Sequence, residues 1–108
     1  MRTDALWGGT LNEIAVDLEK HDAKLTVTVV EAGQESNHEL WCRRFTDLRL
    51  FNGLPARWDY AELTEVHVRF DSASSTWLLE AILWSDEAGL AVRCAELIMD
   101  GEPILASA

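Results

Sequence analysis

From Leu63 to Met99 the chain carries three consecutive segments of strand length, and apolar residues alternate cleanly only in the first. Leu63–Asp71 sets Val66, Val68 and Phe70 on one side and Glu65, His67 and Arg69 on the other, the two-residue period of a half-buried strand. Trp77 to Trp84 places Trp77, Leu79, Ala81 and Leu83 on one face, but Leu78, Ile82 and Trp84 on the other, interrupted only by Glu80. Leu90 to Met99 repeats this, with Leu90, Val92, Cys94 and Ile98 against Ala91, Ala95, Leu97 and Met99. A single sheet layer wetted on one face does not tolerate that much apolar surface, so the second face must be covered by this chain or by another molecule. The three segments predict an antiparallel meander with Phe70 opposite Trp77, Val68 opposite Leu79 and Val66 opposite Ala81. Carried through the next turn, the same reasoning sets Ala81 against Arg93, Leu79 against Ala95 and Trp77 against Leu97.

The amino-terminal half reads as more of the same. Asn12–Lys20 alternates with Ile14, Val16 and Leu18 inward, Lys20 to Ala23 turns the chain, and Lys24–Val30 returns. Apolar faces match if Leu18 pairs with Leu25, Val16 with Val27 and Ile14 with Val29. Glu31–Asn37 is polar, contains Gly33 and reads as a loop. His38–Phe45 and Asp47–Phe51 follow as a strand and its bulged continuation, because the apolar parity shifts between Leu40/Cys42 and Trp41/Phe45. Asn52 to Pro55 breaks the pattern, one helical turn is expected over Ala56–Glu62, and Asp71–Ser75 and Ser85–Gly89 supply the remaining turns. Gly101 and Pro103 end regular structure, so residues 102–108 are expected to form a loose tail. With no repeat, low-complexity tract or linker, residues 1–108 form a single β domain. Its fold class is all-β: an antiparallel meander of about seven strands forming a sandwich or partly open barrel, with at most one short helix.

Charge is uneven along the chain. Residues 1–40 hold eight acids and three bases, 41–70 four acids and five arginines, and 71–108 seven acids and one arginine, giving −5, +1 and −6 of the total −10. Such a surface repels phosphate backbones, so nucleic acid is not an expected partner unless Arg43, Arg44, Arg49, Arg57 and Arg69 converge. The apolar runs are of strand length, far short of the roughly 20 residues that span a bilayer as a helix. Two cysteines without CxxC spacing, and no hydrophobic leader behind Met1, fit a reducing cytoplasmic setting.

No arrangement of residues amounts to a catalytic motif, and no enzyme activity or cofactor is expected. The predicted register aligns His67, Glu80 and Cys94 in one row. Neighbouring strands lie about 4.8 Å apart, so His67 and Cys94 would stand roughly 10 Å apart, too far for direct thiol activation. Cys94 is therefore expected to be a buried structural thiol. His21, His38 and His67 are scattered, and His38 and Cys42 on one strand would stand roughly 13 Å apart, so no metal site is expected. Trp7-Gly8-Gly9-Thr10 lacks the further glycines and lysine of a phosphate loop and reads as a turn into the first strand.

The pattern Leu6-Trp7-Gly8-Gly9, an alternating hairpin, and Trp58-Asp59-Tyr60-Ala61-Glu62 leading into Glu65-Val66-His67-Val68 is similar to small β-rich bacterial proteins of unassigned function. It also resembles the acidic, tryptophan-containing immunity proteins of polymorphic toxin systems. That resemblance implies a non-enzymatic inhibitor docking on a basic toxin surface, and carries over no site residues.

These readings converge on a non-enzymatic protein-interaction module, for example an immunity-type inhibitor of a basic partner, with acidic loops for steering and an apolar sheet face for contact. The expected contact residues are Leu78, Ile82, Trp84, Leu90 and Val92, because tryptophan and apolar residues concentrate at interface centres. Trp58 and Tyr60 are candidates for a pocket rim, with a loop anchor as the alternative. Five tryptophans also fit a carrier of a small apolar ligand, and the doubly apolar sheet fits a homodimer.

Overall fold

A computed structural model describes residues 2–106. A 3₁₀ turn over Arg2–Leu6 precedes seven strands: β1 (Thr10–Asp17), β2 (Asp22–Glu31), β3 (Gln34–Asn52), β4 (Ala61–Asp71), β5 (Thr76–Leu83), β6 (Ser85–Met99) and β7 (Glu102–Pro103). They form one antiparallel sheet in the order β3-β2-β1-β4-β5-β6-β7, and β3 also pairs with β6, which curls the sheet into a partly open barrel. The β3–β6 ladder is long, from Leu40–Met99 to Asn52–Ala88. The β1–β4 seam is short, with only Thr10–Glu62 and Leu11–Ala61 paired. Past those two pairs the edge of β4 is taken by the amino-terminal segment, where the Gly8 N–H donates to the Leu63 carbonyl and the Leu63 N–H to that of Gly9. Trp7 Nε1 donates to the Val66 carbonyl, and Thr3 and Leu6 are buried beneath. No helix among the described residues is long and apolar enough to cross a membrane.

Inward-facing residues from every long strand make one core, including Leu25, Val27, Leu40, Leu63, Leu79 and Leu97. β4 and β5 pair as the alternation predicts, with Phe70–Trp77, Val68–Leu79 and Val66–Ala81. The bulge expected in the third strand lies between Phe45 and Asp47.

The first hairpin pairs Ile14 with Leu25 and Val16 with Ala23, not Ile14 with Val29 and Val16 with Val27. Its turn starts early because the Asp17 carboxylate accepts the N–H groups of Glu19 and Lys20, which leaves Leu18 in the loop at 76% exposure. The displacement is even, so Ile14 and Val16 still face inward. The expected loop Glu31–Asn37 shrinks to a two-residue turn between Glu31 and Gln34, with Ala32 and Gly33 at φ 52° and 78°.

The β5–β6 register differs by three residues, an odd number, and reverses one strand. Trp77, Leu79 and Ala81 meet Cys94, Val92 and Leu90 on the core side, while Arg93 sits opposite Leu78 on the outer face. The predicted row therefore reads His67, Glu80 and Ala91, and Cys94 is not in it. The cause is a turn tightened to Trp84, whose φ is 68°, followed by Asp86–Ala88 leaving β5 to meet β3 at Asn52–Ala88. Residues 53–60 are irregular and contain no helical turn; among the described residues the one turn of helix is Arg2–Leu6. Leu54 N–H donates to Asn52 Oδ1, which opens an Asx turn there in place of a helix. The expected tail is held down at its start. Glu102–Pro103 pair with Met99 and Ile98, the Ile104 N–H donates to the Leu97 carbonyl, and Ile104 is buried. Residues 107 and 108 of that tail lie outside the described residues.

Two outcomes follow. A Cβ on Gly89 would lie 2.4 Å from the Ala81 carbonyl oxygen and 3.1 Å from the Phe51 ring, so Gly89→Ala should destabilise by about 1–3 kcal/mol, read as a lower urea midpoint at unchanged slope. At the β4–β5 turn, the Ser74 hydroxyl and the Arg93 guanidinium donate to Asp71 and hold its carboxyl below the usual range. A lowered folded-state value adds stability that is complete above the unfolded value of about 3.9 and is lost as pH falls through the folded one. Melting temperatures of Asp71→Asn should therefore fall less steeply than those of the parent protein below about pH 4.

Candidate functional site

β3 runs for 19 residues and β2 for 10, and β2 accompanies β3 only as far as Cys42. At that point β3 bends. Arg44 adopts φ 53°, its N–H donates to Asp22 Oδ1 at 3.0 Å, Arg43 donates to Asp22 Oδ2 at 3.1 Å, and the Phe45 N–H donates to the His21 carbonyl at 2.7 Å. Past the bend, β3 keeps β6 on one edge and has no strand on the other among the described residues. β1 is in a similar position: Glu13–Asp17 pair with β2, and their other edge meets no strand among the described residues.

An apolar cleft opens between these two ribbons. Its inner lobe, about 140 Å³, lies between Ile14, Val16 and Leu25 on one side and Leu48, Leu50 and Val92 on the other, with Leu90 at its floor. An outer lobe of about 330 Å³ shares Ile14 and Leu50 and extends to Leu11, Trp58, Ala61 and Leu83. Leu50 is 63% exposed and Val16 41%, so the lips are apolar and wet. Glu13 lines the outer lobe and Asp59 adjoins Trp58; neither is in an ion pair among the described residues. Arg49 lines the inner lobe and is already engaged by Asp47 at 3.1 Å.

The five expected contact residues do not form one surface. Leu90 and Val92 face inward, 4% and 2% exposed, and line the cleft from below. Leu78 and Ile82 lie half-buried on the opposite, outer face. There Leu78 sits between Arg69 and Arg93, and Ile82 between Glu65 and Gly89, against which Phe51 packs. Long side chains, not a second layer, thus cover much of that face. Trp84 occupies the β5–β6 turn, its ring 4.8 Å from that of Tyr60 and its Nε1 donating to the Tyr60 carbonyl. Of the two rim candidates, Trp58 lines the cleft and Tyr60 serves as the lid on Trp84. Ile14, Leu48 and Leu50 are cleft residues that the sequence reading did not single out as functional. Their parity was visible, but their convergence depends on which strands end early.

Other grooves are more polar. One of about 460 Å³ runs beside Trp7, His67, Arg69, Leu78 and Glu80 on the outer face. Another, about 220 Å³, adjoins Trp41, whose ring is flanked by Lys24 Nζ at 5.5 Å and Arg43 Cζ at 4.5 Å. Arg43, Arg44 and Arg49 each bind an acid, in turn Asp22, Glu96 and Asp47. No group of three or more His, Cys, Asp or Glu residues among those described is arranged to hold a metal ion.

Cys42 and Cys94 face each other in the core, both fully buried and unbridged. The hydrogen bond with the Cys94 thiol, followed by burial, pushes the Cys42 thiol well above its usual range. Because neither thiol is accessible, native protein at neutral pH should leave both unalkylated by iodoacetamide over hours, with both labelled in denaturant; mass spectrometry reads the outcome. Rapid labelling of the native chain would contradict the packing of β3 on β6.

No protein-family model matches this chain, and no curated protein matches it.

Proposed function

We propose that the chain is a non-enzymatic protein-interaction module that receives apolar side chains of a basic partner in the cleft between β1 and β3. The observation that carries this reading is an apolar cleft open to solvent where β1 and β3 each lack a second strand neighbour among the described residues. Size favours one of the two binding classes. Pockets that enclose a small ligand run roughly 300–1,000 Å³ and cover most of its surface, whereas a space of about 150 Å³ suits one benzene-sized group. The inner lobe, about 140 Å³, fits a single leucine- or phenylalanine-sized side chain, and the outer lobe is too exposed to enclose anything. This favours docking of a side chain over carriage of a metabolite. The net charge of −10 and the acidic residues at the lip supply steering toward a basic surface. An immunity-type inhibitor of a basic toxin is one protein of this description.

A methyl-resolved NMR titration tests the reading with two peptides, Lys-Lys-Leu-Lys-Lys and Lys-Lys-Ser-Lys-Lys. The leucine peptide should shift the methyl signals of Ile14, Leu48, Leu50 and Val92, and the serine peptide should not. Leu50→Ser should weaken binding of the leucine peptide at least fivefold while changing stability by less than about 1 kcal/mol, since Leu50 is largely exposed. Shifts confined to Leu78 and Ile82, or none at all, would move the contact surface elsewhere.

A further inference from the structure

Resting on that reading of the cleft, we infer that the partner binds as an extended strand, added to the free edge of β1 at Glu13–Asp17, with alternate apolar side chains entering the cleft and basic ones facing out. Three observations meet at this edge. First, Glu13–Asp17 are in regular register with Thr26–Asp22 of β2, so their backbone is already extended, and the edge away from β2 carries no strand among the described residues. An edge of this kind offers a row of unpaired N–H and C=O groups that templates a further strand.

Second, the inward residues Ile14 and Val16 form one wall of the apolar cleft, and Leu48 and Leu50 of β3 form the other. A strand laid beside β1 projects every second side chain to the same side as Ile14 and Val16, into the space between these walls. Backbone pairing and apolar burial are thus available to one and the same segment. Third, Glu13 and Asp17 flank the edge, and Asp59 lies in the loop across the seam. A segment with lysine or arginine at its outward positions meets opposite charge.

The same charges select against a second copy of this chain. Antiparallel pairing of β1 with itself about Ala15 keeps Ile14 and Val16 inward over all five residues, and sets Glu13 directly opposite Asp17 at both ends. Like charges opposite one another destabilise a ladder, and each copy also carries −10.

Capped heptapeptides separate backbone pairing from side-chain docking without touching the fold. The probes are acetyl-Lys-Val-Lys-Val-Lys-Val-Lys-amide, the same peptide N-methylated on its three valines, and the same peptide N-methylated on its inner two lysines. Only one alternate set of amides faces a neighbouring strand in an antiparallel pair. One methylated peptide should therefore lose at least tenfold in affinity and the other stay within about threefold of the parent, with shifts at the amides of Glu13–Asp17 and the methyls of Ile14 and Leu50. If both methylated peptides bind like the parent and still shift those methyls, strand addition is wrong and the cleft reading stands. If no peptide shifts those methyls, both fall. A dimer by light scattering in the absence of peptide, with β1 amides protected at its interface, would assign the edge to a second copy and overturn the inference.

Discussion

Asp22 is the pivot of this molecule. Its carboxylate, buried at the root of the first hairpin, accepts hydrogen bonds from the Arg44 N–H and the Arg43 guanidinium, while the neighbouring His21 carbonyl takes the Phe45 N–H. These bonds stabilise Arg44 in a left-handed conformation that a residue with a side chain adopts only at some cost. Up to the bend, β3 carries β2 on one edge and, from Leu40 onward, β6 on the other; beyond it, only β6 accompanies β3 among the described residues. The β3–β6 ladder that closes the barrel runs through this bend, and the opening between β1 and β3 begins at it, where β2 ends. A buried carboxylate left without these donors would carry a large desolvation cost, which is why hairpin and bend hold each other in place.

The difference in strand length does the rest. A barrel removes its edges only when every strand has a neighbour along its full length. Here β1 is paired with β4 at two positions, and β3 outruns β2 by a whole segment. The apolar residues facing the resulting gap, Ile14, Val16, Leu48 and Leu50, sit on the inward parity of their strands, as core residues would. They form an incomplete wall of the core, and that incompleteness makes the cleft both apolar and accessible.

Much of this was legible in the chain. The alternation of Leu63–Asp71 and the turn-forming Asp71 placed β4 against β5 in the correct register, and the parity shift near Phe45 marked the bulge. Parity proved sturdier than register: the first hairpin moved by an even step when Asp17 captured the turn, and Ile14 and Val16 kept their side. The second hairpin moved by an odd step. A single residue, Trp84, makes that turn in a left-handed conformation, and no local signal distinguishes this from the longer turn that Ser85–Gly89 suggested. That step turned Leu90 and Val92 inward and parted them from Leu78 and Ile82. The cleft itself was hidden for another reason. It depends on β3 meeting β6 between residues 36 to 59 positions apart, and on strands that stop short of one another, neither of which a periodicity records.

Amide hydrogen exchange on the free protein, residue by residue, tests the open seam most directly. Lys24–Val30 of β2 lie between two strands over most of their length, whereas Glu13–Asp17 of β1 are held on one side. Every second amide in Glu13–Asp17 should exchange rapidly, while Lys24–Thr28 exchange only through opening of the barrel. Uniform slow exchange across Glu13–Asp17 would mean that the seam is closed in solution, and the cleft between β1 and β3 would not exist.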